Sequence, residues 1–271
     1  MSKSLLQPVR ASQLSRRLGL EMLGADREIR ELCGIDALSG QGLSFMRDRC
    51  PQGGCSGTVF SAQPPESDAM TVLRADKPRL AFIQAQHLLQ ASPGFAEDTS
   101  PPEIHPTARI GRYAVIENGV RIGEGTRIGS MAVIKTGTRI GRFCEIKSGA
   151  VIGESGFGPE RDADNRPLMM IHFGGVIIGD HVAVGSLSTV CRGALGDTVI
   201  ADHVKIDDHC HISHNCRIEE GAMITACVEI SGSVRIGRNA WLSPGCALVQ
   251  KISIGDDAFL GIGAVVTRGV G

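Results

Sequence analysis

The chain has 271 residues, a formal net charge of −1 and 4% aromatic residues. That near-neutral balance excludes the basic surface of a nucleic-acid binder. The opening stretch, MSKSLLQPVRASQLSRR, holds no apolar run long enough for a signal peptide or a spanning helix, so a soluble, cytoplasmic protein with no transmembrane segment is expected.

Residues 1–100 predict a small α/β domain. Leu14, Leu18 and Leu20 recur among arginines and a glutamine, which predicts a helix over 10–23. A second helix is predicted over 78–91, PRLAFIQAQHLLQA, opened by a proline in its first turn. Strand-like runs lie between them at 29–32, 43–46, 58–61 and 70–73. The following SPGFAEDTSPPEIHP is proline-rich, carries no period and reads as a linker.

From Ile104 onward an aliphatic residue falls at every sixth position: Ile110, Ile116, Ile122, Ile128 and so on, then Ile206, Ile212, Ile218, Ile224 and Ile230. No helix has that period. Hexads are the signature of a parallel β-helix, and the fold class expected for residues 101–271 is a left-handed parallel β-helix of about eight coils. Glycine often follows the aliphatic position, as at Gly111, Gly123, Gly141 and Gly237, where a corner needs room or an unusual torsion. Small residues four places after the aliphatic, such as Ala132, Cys144, Cys210, Cys216 and Ala240, are expected to point inward. The nine cysteines therefore read as reduced packing residues rather than a disulfide framework, and the lack of a CxxC pair argues against a structural zinc site.

The beat is broken twice. Residues 153–177 lose the register, and four extra residues enter between Val190 and Ile200. Loops thrown from a solenoid tend to carry function, so GFGPERDADNRPLMMI is expected to be a structured flap, with Phe157 and Gly158 as candidate substrate contacts. If the second insertion leaves the phase unchanged, Arg192, His214, Gly232 and Gln250 share the third place of stacked hexads and form one column. A histidine beside a residue without a side chain gives a reacting group somewhere to sit, with the glycine N–H as an oxyanion donor. His87 and His105 read as hydrogen-bonded surface residues, and His181 and His203 as a stacked pair. His214 has the stronger claim to chemistry, in the run KIDDHCHISHNC with Asp207 and Asp208 nearby.

DHVKIDDHCHISHNCRI, SLSTVCRGALGDTVI and the GFG segment together resemble the UDP-3-O-acylglucosamine N-acyltransferases of lipid A biosynthesis. REIRELCGIDALSGQGLSFM and LRADKPRLAFIQAQHLL are similar to that family's uridine-binding domain. The resemblance implies that His214, in the Ile-x-His-Asn motif that also contains Asn215, is the catalytic base. It likewise implies that Asp207 assists it, that Gly232 offers its N–H to the oxyanion, and that Phe45 stacks on uracil. Asp48 and Pro51 stand where the family has an asparagine and a tyrosine. Lys251 replaces a histidine associated with the phosphopantetheine arm. The sequence given closes at Gly271 without the family's helical extension for the carrier protein, which implies either a truncated chain or a differently engaged donor.

The reaction implied is direct acyl transfer from a phosphopantetheine thioester, on acyl carrier protein or coenzyme A, to a nucleotide-linked amino sugar. No permanently bound cofactor is implied. A homotrimer is, with sites between subunits. Neither Cys191 nor Cys216 has support as a nucleophile beyond proximity. Two other classes remain open: a hexapeptide-repeat carbonic anhydrase using His209 and His214 as zinc ligands, and a scaffold that has lost its chemistry.

Overall fold

The computed structural model describes residues 2–46, 56–65 and 67–271. They form two compact units. One comprises Met1–Glu97 with Phe157–Phe173, the other Asp98–Gly156 with Gly174–Gly271. The boundary lies close to the expected linker, but the flap groups with the N-terminal unit and interrupts the solenoid.

The first unit is built on β1 (Ser2–Arg10), α1 (Ala11–Leu18), β2 (Met22–Leu23), β3 (Glu28–Cys33), β4 (Gly42–Phe45), β5 (Gly57–Ser61), β6 (Met70–Arg74) and α2 (Pro78–Ala91). Its sheet runs β1-β3-β4-β5-β6-β2, parallel from β3 to β6 and antiparallel at both edges. α1 is shorter than expected because Gly19 adopts a left-handed C-cap at φ 66°. α2 spans the predicted residues, opens on Pro78 and buries Phe82, Ile83 and Leu89. The Phe82 ring lies 5.3 Å from Phe45 and 6.4 Å from Phe60.

The flap is a two-stranded antiparallel hairpin, Pro159–Arg161 with Pro167–Met169. Asp162 Oδ1 closes its turn by accepting the N–H groups of Asp164 and Arg166 at 2.9 and 2.8 Å. Helix α2 holds the hairpin through three side chains. Arg79 donates to Glu160 at 2.7 Å and to the Pro159 and Gly158 carbonyls. The Gln86 amide pairs in both senses with the backbone of Ile171, and His87 hydrogen-bonds the Met169 carbonyl at 2.8 Å.

The second unit is a parallel β-helix whose three sheets each hold eight strands. The first sheet begins at Glu103–Ile104, the second at Arg109–Ile110 and the third at Val115–Ile116. Aliphatic residues stack in register, as in Ile104↔Ile122↔Ile140. Ile134, Ile146, Ile212 and Ile230 are fully buried in the shared interior, each stabilising the fold by about 1.5–3 kcal/mol. The small residues Ala132, Cys144, Cys210, Cys216 and Ala240 also face inward. Both interruptions preserve phase, because Ile140 pairs with Ile178, Ile178 with Ile200 and Val190 with Ile212.

Room, not torsion, explains the glycines that follow the aliphatic position. A Cβ on Gly111 would lie 2.5 Å from the Ser130 nitrogen, and one on Gly123 2.6 Å from the Gly141 oxygen. The left-handed torsion falls two residues later, at Gly119, Gly125 and Gly137 but also at Tyr113, Phe143, Leu187 and Asn215. At one such corner His181 and His203 stack at 5.0 Å with planes 1° apart, and Phe143 extends the pile at 5.4 Å from His181.

Candidate active site

The pairing Thr189↔His211, His211↔Glu229 and Glu229↔Ala247 carries Arg192, His214, Gly232 and Gln250 onto successive rungs of one corner, beyond the third sheet. His214 and Gly232 meet closely. A Cβ on Gly232 would stand 2.7 Å from both Cε1 and Nε2 of the imidazole. On the other side, a Cβ on Gly156 would lie 2.8 Å from His214 Cβ and 2.9 Å from Cδ2. The half-buried imidazole is therefore flanked by two glycine backbones. Among the described residues the Gly232 N–H donates no hydrogen bond, while its carbonyl accepts from the Lys251 N–H at 3.0 Å.

His214 Nδ1 lies 3.0 Å from Asn215 Oδ1. The same amide secures the four-residue insertion: Oδ1 accepts the Ala194 N–H at 3.0 Å, and Nδ2 faces the Gly196 carbonyl at 3.4 Å. The Asn215 N–H donates to Thr198 Oγ1 at 2.9 Å. The insertion is tied in turn to the chain re-entering the solenoid, through Gly174 N–H to the Gly193 carbonyl and Gly175 N–H to Asp197.

Arg192 does not present its guanidinium to this site. Its Nε donates to the Gly153 carbonyl at 2.6 Å and its Nη2 to the Thr136 carbonyl at 3.0 Å. Burial pushes its pKa down, opposed by the charges of Glu117 and Glu154. Lys135 bridges those two carboxylates at 3.2 and 3.5 Å. Arg192 thus braces the backbone that leads to Gly156.

Asp207 follows the second sheet, one corner away from His214. It is exposed, and its carbonyl accepts the Ser188 hydroxyl at 2.7 Å. Asn215, not Asp207, is hydrogen-bonded to the imidazole within the chain. Asp208 accepts the Ser186 N–H and an ion pair from Lys147. His209 also belongs to the second corner, so it does not face His214 within one chain. Lys251 is exposed at the same corner as Gly232, one rung further on, with φ 65°. Phe157, exposed, and Gly158, buried, lie in the first unit with the hairpin. Phe45 is half-buried at the end of β4, and Asp48 and Pro51 lie outside the described residues. Burial pushes the Cys191 thiol up to about 11 and the Cys216 thiol up to about 12, so neither supplies a thiolate at neutral pH.

Sequence reasoning missed Gly156, the bracing role of Arg192 and the hold of Asn215 on the insertion. The hexad period ends at Gly153, so nothing periodic places Gly156 against the imidazole. The glycines around the insertion were the available signal, since a Cβ on Gly193 would lie 3.0 Å from Asn215 Nδ2.

The family model for bacterial transferase hexapeptide (six repeats) matches residues 101–136, 121–154 and 197–232, and that for the hexapeptide repeat of succinyl-transferase matches 251–271. A solved structure of LpxA from Acinetobacter baumannii has a TM-score of 0.57 at 24% identity, covering 63% of this chain and 64% of that one, and shows the shared solenoid fold. UDP-3-O-acylglucosamine N-acyltransferase of Pseudomonas aeruginosa strain LESB58 is 35% identical over 95% of this chain and 82% of its own length. The enzyme of the same name from Delftia acidovorans is 34% identical over 94% of this chain and 82% of its own. With such identity sustained over nearly the whole sequence, the chain belongs to the UDP-3-O-acylglucosamine N-acyltransferase family.

Proposed function

We propose that the protein transfers an acyl group from a phosphopantetheine thioester to the amino group of UDP-linked 3-O-acylglucosamine. The observation that carries this reading is the His214 imidazole packed on Gly232, in a chain whose full-length relatives bear that enzyme's name. His214 takes a proton from the attacking amine, and the Gly232 N–H stabilises the tetrahedral oxyanion as the thioester opens and the thiol leaves. Acyl transfer of this kind needs no permanently bound cofactor.

The working unit in this reading is a homotrimer. The third sheet presents an apolar outer row, Val115, Val133 and Val151, beside a corner bearing Tyr113, Met131 and Leu187, the last three 76%, 63% and 60% exposed. A face of that character favours a second copy. Asp207 lies at the opposite edge of this sheet from His214, so it meets a His214 imidazole only if that imidazole belongs to a neighbouring copy. In the first unit, Phe45 is the candidate face for uracil. No helix among the described residues is long and apolar enough to cross a membrane, and the reading places the reaction in the cytoplasm.

The test is thiol release from acyl carrier protein and acyl-CoA donors of several lengths, with UDP-3-O-acylglucosamine as acceptor and His214→Ala as control. Turnover that disappears in the variant supports the assignment. Silence with this acceptor, beside activity of short acyl-CoA on another amino sugar nucleotide, replaces it with a paralogous enzyme.

A further inference from the structure

The amide of Asn215 has only one orientation that satisfies its surroundings. The Ala194 N–H, which can only donate, stands 3.0 Å from one end, and the Gly196 carbonyl, which can only accept, stands 3.4 Å from the other. These two backbone groups fix Oδ1 on the side of Ala194, and that same oxygen is 3.0 Å from His214 Nδ1. A carbonyl oxygen accepts and never donates. Neutral His214 must then carry its proton on Nδ1, leaving the lone pair on Nε2, which with Cε1 forms the ring edge beside Gly232.

Asparagine is not there to serve the backbone. Asn215 has φ 60°, but the torsion does not demand asparagine: the equivalent position holds Tyr113, Phe143 and Leu187 at other corners, and Ser233 and Lys251 as well as Gly119 and Gly137 at Asn215's own corner. We propose that Asn215 is a positioning residue that selects the Nδ1–H tautomer of His214 and locks the 193–196 insertion to it, so that the base reaches the reaction with Nε2 unprotonated. The proposal rests on His214 being the base, and it gives the insertion a purpose: it supplies the N–H that orients the amide.

The test reads the tautomer directly. In protein labelled with 15N-histidine, at a pH where His214 is neutral, two-bond nitrogen–proton correlations report which ring nitrogen is protonated. Wild type is expected to show the Nδ1–H form. Asn215→Gly, which suits the left-handed torsion, is expected to revert toward the Nε2–H form that prevails in free imidazole side chains. Its kcat should fall by about tenfold to a hundredfold with little change in acceptor KM, the range for losing a group that orients a histidine, and less than the roughly 10²–10⁴-fold expected when a general base is removed outright. Asn215→Asp keeps an acceptor facing both Nδ1 and Ala194 but sets its second oxygen against the Gly196 carbonyl, and is expected to retain the Nδ1–H tautomer while loosening the insertion. Wild type in the Nε2–H form, or Asn215→Gly that keeps Nδ1–H, overturns the proposal. Because the spectrum needs no substrate, an inactive wild type would count against the proposed acceptor without touching this result.

Discussion

Gly232→Ala tests the site through geometry alone. The new methyl would stand 2.7 Å from Cε1 and Nε2 of His214, where carbon and its neighbours settle at about 3.5–4.0 Å. The imidazole must therefore withdraw by about 1 Å, and displacements of that size cost about a hundredfold in rate. The backbone N–H survives, so the oxyanion donor is not deleted. Gly232 has no left-handed torsion, so alanine brings no backbone strain, and overpacking should cost about 1–3 kcal/mol. The assay is kcat for thiol release at saturating donor and acceptor, with a melting curve to confirm the fold. Gly261→Ala is the control, because its Cβ would meet nothing within 4 Å. If Gly232→Ala turns over within about threefold of wild type, the imidazole is not acting from its position against Gly232 and the mechanism fails.

His214→Ala is expected to abolish transfer while circular dichroism and oligomeric state stay unchanged; substantial residual turnover would remove it from the mechanism. Arg192→Met strips the Gly153 and Thr136 carbonyls of their donors and should destabilise by about 1–3 kcal/mol, with kcat falling as Gly156 shifts, both read from melting and turnover. Among the described cysteines, exposed Cys227 should react first with iodoacetamide at pH 8, while Cys216, with its thiol raised to about 12, should react only on unfolding; mass spectrometry of a time course decides. Burial pushes the Glu117 carboxyl up, but the Thr136 N–H and Lys135 together hold it below 4.5. Its contribution is thus complete above about pH 4.5 and disappears as pH falls through the lower folded value. Glu117→Gln is expected to flatten the acid limb of melting temperature against pH, and an unchanged limb would refute that.

What could be read in advance was what local period dictates. The hexads fixed the rungs, and with them the meeting of His214 and Gly232 and the stacking of His181 on His203. The α2 boundaries were legible because Pro78 opens the helix and apolar spacing carries it through. β1 was not, since Ser2–Arg10 becomes a strand only by pairing with residues as distant as Cys33. Nor could phase place Asp207 beside His214, because residues seven apart in a six-residue repeat stand at different corners. The commitment of Arg192 to two carbonyls depends on where residues 136 and 153 turn their oxygens, which side-chain pattern does not encode.

The partners that α2 takes from the hairpin segment lie 79 to 91 residues downstream, beyond the opening coils of the solenoid. During synthesis Arg79, Gln86 and His87 must wait, solvated, while several rungs of β-helix emerge. Domain deletion would meet the same interleaving. A fragment cut at residue 97 leaves α2 without its clasp, and one begun at residue 98 carries an unsupported hairpin. An independently folding N-terminal module therefore has to be built by grafting residues 157–173 back onto 1–97, not by truncation.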